Sequence, residues 1–464
     1  LRQIRALVGP AGIVDQAADM APFLREHRGL YQGETALIVQ PESVAEVSAV
    51  VKLCAETGTP IVPQGGNTGL VGGQIPFPGD NAILLSLSRM NRIQNIDLLN
   101  DTVTLEAGVT LAALQDAARD AGRLFPLHLA SQGSAQIGGL VSTNAGGNAV
   151  LRYGMMRELV LGLEAVLPDG QIWDGLRGLR KDNTGYDLKQ LFIGGEGTLG
   201  IVTRAVVKLF PAPRSVETAM AGVADVASAV ALLPLLRAAS GDQITGFELL
   251  PRLGLEFVLK HIPGARDPMA GHHPWYVLIE ISSGYEASLV RAMLETALAG
   301  ASEAGLIKDA VIAENLGQAA ALWALRENLS DVQKLEGGSI KHDISVPVSA
   351  IADFITRASA AVSAALPGIR PVPFGHIGDG NVHFNLSQPP GMDTAAYLAR
   401  WDEFNKIVHD IVAGLGGGIS AEHGLGRMKR DEITRYKSPV EMELMRSLKR
   451  ALDPKNIMNP GKLV

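Results

Sequence analysis

The sequence predicts an α+β protein of two or three domains, and three observations carry that prediction. At 464 residues the chain is too long for one ordinary core. Its first third alternates strand and helix patterns. Its middle, roughly 214–410, alternates long Ala/Leu-rich helix patterns with separate strands, which suggests an antiparallel sheet with helices on one face. A composition that is 47% hydrophobic with 52 glycines suits an enzyme with many tight backbone turns.

The elements follow in order. Residues 36–39 read as a strand. Ser43 and Glu46 supply a capping box, and Val44, Val47, Val50, Val51 and Cys54 mark the apolar face of a helix ending near Gly58. Strands are expected at 60–62, 82–87 and 102–106, with a helix over 111–122. Residues 159–167 and 171–173, joined by Pro168-Asp-Gly170, read as a hairpin. A strand over 200–210 ends at Pro211-Ala-Pro213, the punctuation of a domain boundary. The expected division is therefore 1–213, 214–413 with strands near 276–281 and 372–374, and a largely helical segment over 414–464.

Several function classes are disfavoured. The net charge of −7, with no Lys/Arg run, argues against nucleic acid as a partner. Cys54 is the single cysteine, so no intramolecular disulfide forms, and a reducing compartment fits. The most apolar stretches, such as 226–236, are short and interrupted by Pro234, so no bilayer span is expected. The chain begins at Leu1, which suggests trimming.

Three glycine-rich segments stand out. Residues 63–73 (PQGGNTGLVGG) can turn several amides into one concavity, as a pyrophosphate cradle requires, or can form a tight turn between two α/β units. Residues 133–147 (GSAQIGGLVSTNAGG) carry small side chains and little else, which suits close approach to a large flat ligand. Residues 181–200 end in a literal G-x-G-x-x-G at Gly195, Gly197 and Gly200. A dinucleotide fingerprint must open a helix, whereas Ile201 to Lys208 continues as a β-branched strand, so the match is accidental and a nicotinamide site is disfavoured.

The densest chemistry lies near the C-terminus. His376 and His383 bracket a tight turn in 375–385 (GHIGDGNVHFN), and Glu422 and His423 adjoin in 420–427 (SAEHGLGR). Three of these four side chains can form a two-His-one-carboxylate metal site, leaving one imidazole as a base. That suits a small oxygenated substrate. His383 and Asn385 are two apart in a strand pattern and face one side of the sheet. On residue chemistry alone, Arg326 reads as a helix-surface partner of Glu327 or a neighbour, worth under ~1 kcal/mol.

Taken together, 63–73, 144–147 (NAGG), 181–186 (KDNTGY) and the histidine motifs resemble the FAD-linked D-2-hydroxyacid dehydrogenase branch of the vanillyl-alcohol-oxidase superfamily. D-2-hydroxyglutarate dehydrogenases are the nearest likeness and D-lactate dehydrogenases near cousins. The resemblance covers nearly the whole chain. It implies a PCMH-type FAD domain of two α+β subdomains, an antiparallel-sheet substrate domain, and a C-terminal segment returning to the flavin. The implied flavin contacts are Pro63, Gln64, Gly65, Gly66, Asn67, Thr68, Gly69, Gly72 and Gly73 in the first segment. In the second they are Gly133, Ser134, Gly138, Gly139, Ser142, Thr143, Asn144, Gly146 and Gly147. Glu196, Gly197, Gly200, Ile201 and Val202 follow, with Glu422 and Asn459 from the C-terminal end.

With no histidine between Gly65 and Gly73, noncovalent FAD is implied. The family's zinc ligands map onto His376, His383 and Glu422, and its proton acceptor onto His423; manganese or cobalt can substitute at such an N/O site. Arg326, Ser330, Lys341 and Asn385 match the residues that hold the substrate. Ser330 stands where threonine is usual, and His342 stands where an aromatic residue is common. The implied reaction is oxidation of a D-2-hydroxy acid to its 2-oxo acid. An electron-transfer flavoprotein or a quinone is the implied acceptor. A homodimer is expected, in the cytoplasm or, in a eukaryote, the mitochondrial matrix.

Overall fold

A computed structural model describes residues 1–464 as two compact units. The first comprises 1–147, 153–212 and 422–464, and the second comprises 148–152 and 213–421.

The first unit holds two principal sheets. In one, Ile13–Val14, Ile38–Val39, Ile83–Ser86 and Ile61–Gln64 lie side by side in that order, the last three parallel. The other is wholly antiparallel, in the order Ile93–Asp97, Thr102–Glu106, Ile201–Lys208, Val160–Val166 and Ile172–Gly175. The helix Val44–Thr57 starts as its sequence dictates, with Ser43 Oγ accepting the Glu46 N–H at 3.2 Å. The Glu46 carboxylate reaches the Glu42 N–H at 2.9 Å, one residue beyond the reciprocal partner of a capping box. Gly58 closes the helix with φ 68°, a left-handed turn that glycine adopts without strain. Val47, Val50, Val51 and Cys54 are fully buried beneath it.

The C-terminal tail braces the strand that leads into the first glycine segment. Ile61 donates to the Ile457 carbonyl at 2.7 Å and accepts from Asn459 at 2.8 Å. Behind this pairing, the Lys449 ammonium donates to the Thr198 and Met458 carbonyls and to Asp453, at 2.8, 2.7 and 2.6 Å. An ammonium tolerates such burial because all three of its donors are used.

In the second unit one antiparallel sheet runs Ile244–Pro251, Trp275–Ser283, Ser215–Val223, Asp309–Ile312. In another, Asn381–Ser387 pairs with Arg370–Phe374 on one edge and with Ser339–Ile340 and Asp343–Ser345 on the other. A two-way bridge between Leu249 and Gly375, 2.9 and 3.1 Å, joins the two sheets.

Helices cover both faces of this unit, not the single face that the sequence pattern suggested. Val226–Ser240, Ala287–Glu303, Ile351–Ala365 and Trp401–Gly414 pack on one side, Arg252–His261 and Leu316–Glu327 on the other. The cause is visible in Ser215–Val223, where Ala219 and Ala221 enter one core while Met220 enters the other. The stretch Val348–Ala365 is long and apolar enough to cross a membrane, contrary to the reading from apolar runs alone. Its face of Ile351, Phe354, Ile355, Ala358 and Val362 is instead committed to the core of this unit.

Candidate active site

In the first unit the glycine segments pack against one another. A methyl on Gly66 would fall on the Ser134 carbonyl, and one on Gly147 would fall on the His128 carbonyl. A methyl on Gly138 would come within 2.7 Å of Ala107 Cβ. These three glycines are required by the protein's own packing. Gly133 and Gly139 differ, because an added Cβ at either meets nothing within 4 Å. Their bare backbone faces open space.

The side chains of the first segment are largely spent on shaping it. Gln64 donates to the Phe23 and Gln74 carbonyls at 2.9 and 3.1 Å. Asn67, in the left-handed region at φ 55°, donates to the Pro22 and Arg25 carbonyls at 2.9 and 3.0 Å. In the second segment, Asn144 Oδ1 accepts the Arg157 N–H at 2.8 Å and Thr143 Oγ1 donates to the Gly139 carbonyl at 2.9 Å. Two buried oxygens, Gln64 Oε1 and Gln136 Oε1, have no protein partner. Such acceptors invite a donor from a bound molecule.

The third segment leads into the strand Ile201–Lys208, so its G-x-G-x-x-G opens no helix. Ile201 and Val202 are core side chains. The Glu196 carboxylate, one oxygen to each, accepts the Leu425 and Gly426 N–H groups at 2.8 Å. Burial pushes the Glu196 carboxyl up, against these two bonds and the nearby Lys429. Asn459 donates to the Gly73 and Glu196 carbonyls at 2.9 and 2.8 Å. Glu196 and Asn459 thus bind the glycine segments to the turn that follows His423. Glu422 and His423 have metal-binding atoms within 4.8 Å of each other.

In the second unit, Asn381–Ser387 alternates Val382, Phe384 and Leu386 into the core, which turns His383 and Asn385 to the opposite face. Gly375, at φ 126°, carries the chain from the Leu249 bridge into the His376 turn. Gly380, at φ 94°, closes that turn where a methyl would meet the Val346 carbonyl. The His376 and His383 rings stand edge to face with centroids 5.5 Å apart, and their ligand nitrogens lie within 4.8 Å of each other. Asn385 donates to Gln333 Oε1 at 2.8 Å. Lys341 Nζ donates to the Ser330 carbonyl and hydroxyl at 2.8 and 3.0 Å, so these two predicted residues do meet. His342 is buried, with Nδ1 2.8 Å from the Phe384 carbonyl.

Arg326 is not a surface partner of Glu327. It is buried, its guanidinium lies 5.0 Å from the centre of the Phe374 ring, and its Nε donates to Glu248 Oε2 at 2.6 Å. The other Glu248 oxygen is 2.5 Å from His376 Nδ1, and Arg326 Nη2 is 3.4 Å from His376 Nε2. Burial alone would raise the Glu248 carboxyl; the His376 and Arg326 partners outweigh it and hold it at about 2. Glu248 is absent from the sequence-derived site. Its one signal is an acid in the interior of a wholly buried strand, Ile244–Pro251.

Residues 35–175 match the FAD binding domain family, and residues 212–463 match the C-terminal domain of FAD linked oxidases. The chain belongs to the FAD-linked oxidase family. It is 37% identical over 462 residues to the mitochondrial D-2-hydroxyglutarate dehydrogenase of Arabidopsis thaliana, covering 99% of this chain and 80% of that one. The D-2-hydroxyglutarate dehydrogenase of Xanthomonas citri is 37% identical over 448 residues, covering 97% and 93%. Among solved structures, p-cresol methylhydroxylase superposes with a TM-score of 0.77 at 19% identity, covering 100% of this chain and 95% of that one. That likeness shows the fold, a PCMH-type FAD-binding fold. The protein is an FAD-dependent oxidoreductase.

Proposed function

We propose that this enzyme oxidises D-2-hydroxyglutarate to 2-oxoglutarate, using noncovalent FAD and a divalent metal, zinc by preference. The observation that carries the reading is the joint placement of His376, His383 and Arg326 in the second unit, with Glu248 holding both His376 and Arg326. Identity of 37% over nearly the whole of this chain to two proteins named D-2-hydroxyglutarate dehydrogenase supports the substrate.

The donor set suits zinc. With Nδ1 of His376 facing a carboxylate, Nε2, which lies 3.4 Å from Arg326 Nη2, is the nitrogen that would bind a metal, a common arrangement of ligating imidazoles. The chain offers Glu422 as the third ligand by direct connection. Ala421 donates to the Asp343 carbonyl at 3.3 Å, Asp343 is the cross-strand partner of His383, and Glu422 is the next residue. The glycine segments suit a flavin for a different reason, the bare backbone at Gly133 and Gly139 together with the unpartnered oxygens of Gln64 and Gln136.

When bound, FAD would supply a hydride acceptor at N5, and a metal held by His376, His383 and Glu422 would ease loss of the substrate's hydroxyl proton. His423 takes that proton onto its neutral ring. Arg326, with Lys341 and Ser330, anchors the distal carboxylate, so remote binding energy aligns the reacting carbon. Asn385 presents its amide on the same strand face as His383. The final electron acceptor would be an electron-transfer flavoprotein or a quinone.

Anaerobic mixing with a panel of D-2-hydroxyglutarate, D-malate and D-lactate tests the substrate. D-2-hydroxyglutarate is expected to bleach the flavin with the highest kcat/KM. A preference for D-lactate would overturn the assignment, because lactate has no distal carboxylate for Arg326.

Glycine variants test the flavin surface. Gly133→Ala and Gly139→Ala are expected to fold with unchanged melting temperature yet retain less FAD per polypeptide. Gly66→Ala is expected to lower the melting temperature whether or not flavin is present, since overpacking costs about 1–3 kcal/mol. Full FAD retention in both Gly133→Ala and Gly139→Ala would place the flavin elsewhere.

A further inference from the structure

Glu248 lies in the interior of Ile244–Pro251, a strand whose every residue is buried. Phe247 and Leu249 point into one core and Leu250 into the other, so Glu248 shares the face of Leu250, which the helix Leu316–Glu327 covers. That helix carries Arg326. The Leu249–Gly375 bridge sets Glu248 directly opposite His376, although 128 positions separate them. The carboxylate divides its oxygens, Oε1 to His376 Nδ1 at 2.5 Å and Oε2 to Arg326 Nε at 2.6 Å. A buried carboxylate persists where its bonds are worth more than its desolvation.

We propose that Glu248 is a positioning residue that fixes the metal-binding imidazole of His376 and the substrate-binding fork of Arg326 as one unit. Accepting from Nδ1–H selects the tautomer in which Nε2 carries the lone pair a metal needs. Accepting from Nε–H spares the two terminal nitrogens for other partners, with Nη2 3.4 Å from His376 Nε2, and a substrate carboxylate would engage them on that side. Metal binding and recognition of the substrate's second carboxylate are therefore coupled through a single side chain. This rests on the reading above, in which His376 binds metal and Arg326 binds substrate.

The test compares wild type and Glu248→Gln as FAD-loaded proteins, each stripped by chelator and titrated with zinc. An amide can accept from His376, but its NH2 group repels Arg326, so it cannot serve both partners. Glu248→Gln is expected to bind zinc about 10–100-fold more weakly with flavin content unchanged. Its KM is expected to rise for D-2-hydroxyglutarate and little for D-lactate. In a His376→Ala background, Glu248→Gln is expected to weaken zinc binding no further, the non-additivity of two residues acting through one contact. If Glu248→Gln does not fold, Glu248→Asp, too short to reach both partners, is read in the same way. Wild type that binds no zinc contradicts the metal reading itself. Wild type that binds zinc beside a variant of equal zinc affinity, or additive losses in the double variant, overturns the positioning role alone.

Discussion

His423→Asn is expected to slow flavin reduction by D-2-hydroxyglutarate by roughly two to four orders of magnitude, the span of removing a general base. Bound metal and FAD are expected to stay at wild-type levels, because His423 is assigned the proton and not the metal. Stopped-flow bleaching of the flavin, with metal and FAD measured on the same preparation, reads both. Glu422→Gln gives the opposite pattern, with metal lost first, because an amide carries no charge to offset the cation. Loss of metal from His423→Asn together with its retention by Glu422→Gln would exchange the two roles.

Arg326→Lys is expected to lower kcat/KM for D-2-hydroxyglutarate about 10–100-fold, the worth of one charge-assisted hydrogen bond at ~1.5–3 kcal/mol. Lysine keeps the charge that Glu248 needs but lacks the planar fork that can bond Glu248 and a substrate carboxylate together. The change for D-lactate is expected to be small. Arg326→Ala is a harsher variant. It leaves the Glu248 carboxylate, only 1% exposed, facing His376 alone, and unpairing a buried ion costs about 3–5 kcal/mol. A lowered melting temperature is therefore expected for Arg326→Ala, and the lysine variant isolates the contribution to substrate binding. Equal losses on both substrates in Arg326→Lys would remove Arg326 from the distal subsite.

Much of this site could be read in the chain because its parts are local. Ser43 and Glu46 announce the start of a helix in four residues, and the strand after Gly200 disqualifies the dinucleotide fingerprint at a glance. His376 and His383 face one site because one turn and one strand hold both. Glu248 was illegible for the converse reason. Only the bridge between Leu249 and Gly375 brings it to His376, and strand pairing across such a distance leaves no periodic trace. The same non-local pairing explains Arg326, whose neighbour in sequence, Glu327, was a plausible partner and whose real one lies 78 positions upstream. Glycines posed a further ambiguity. The sequence cannot separate Gly66, needed for packing against Ser134, from Gly133 and Gly139, where the backbone lies open. The second layer of helices in the second unit was hidden because strands buried on both faces, such as Trp275–Ser283, read as continuous apolar runs.

The proposed reaction requires a metal at the substrate and not at the flavin. Prolonged chelation followed by anaerobic mixing with D-2-hydroxyglutarate measures that directly. The expected result is a protein that keeps its FAD spectrum, carries no zinc and is not reduced by substrate, with reduction restored when zinc is returned. Wild-type reduction rates in a preparation shown to be free of metal would remove the metal from the reaction.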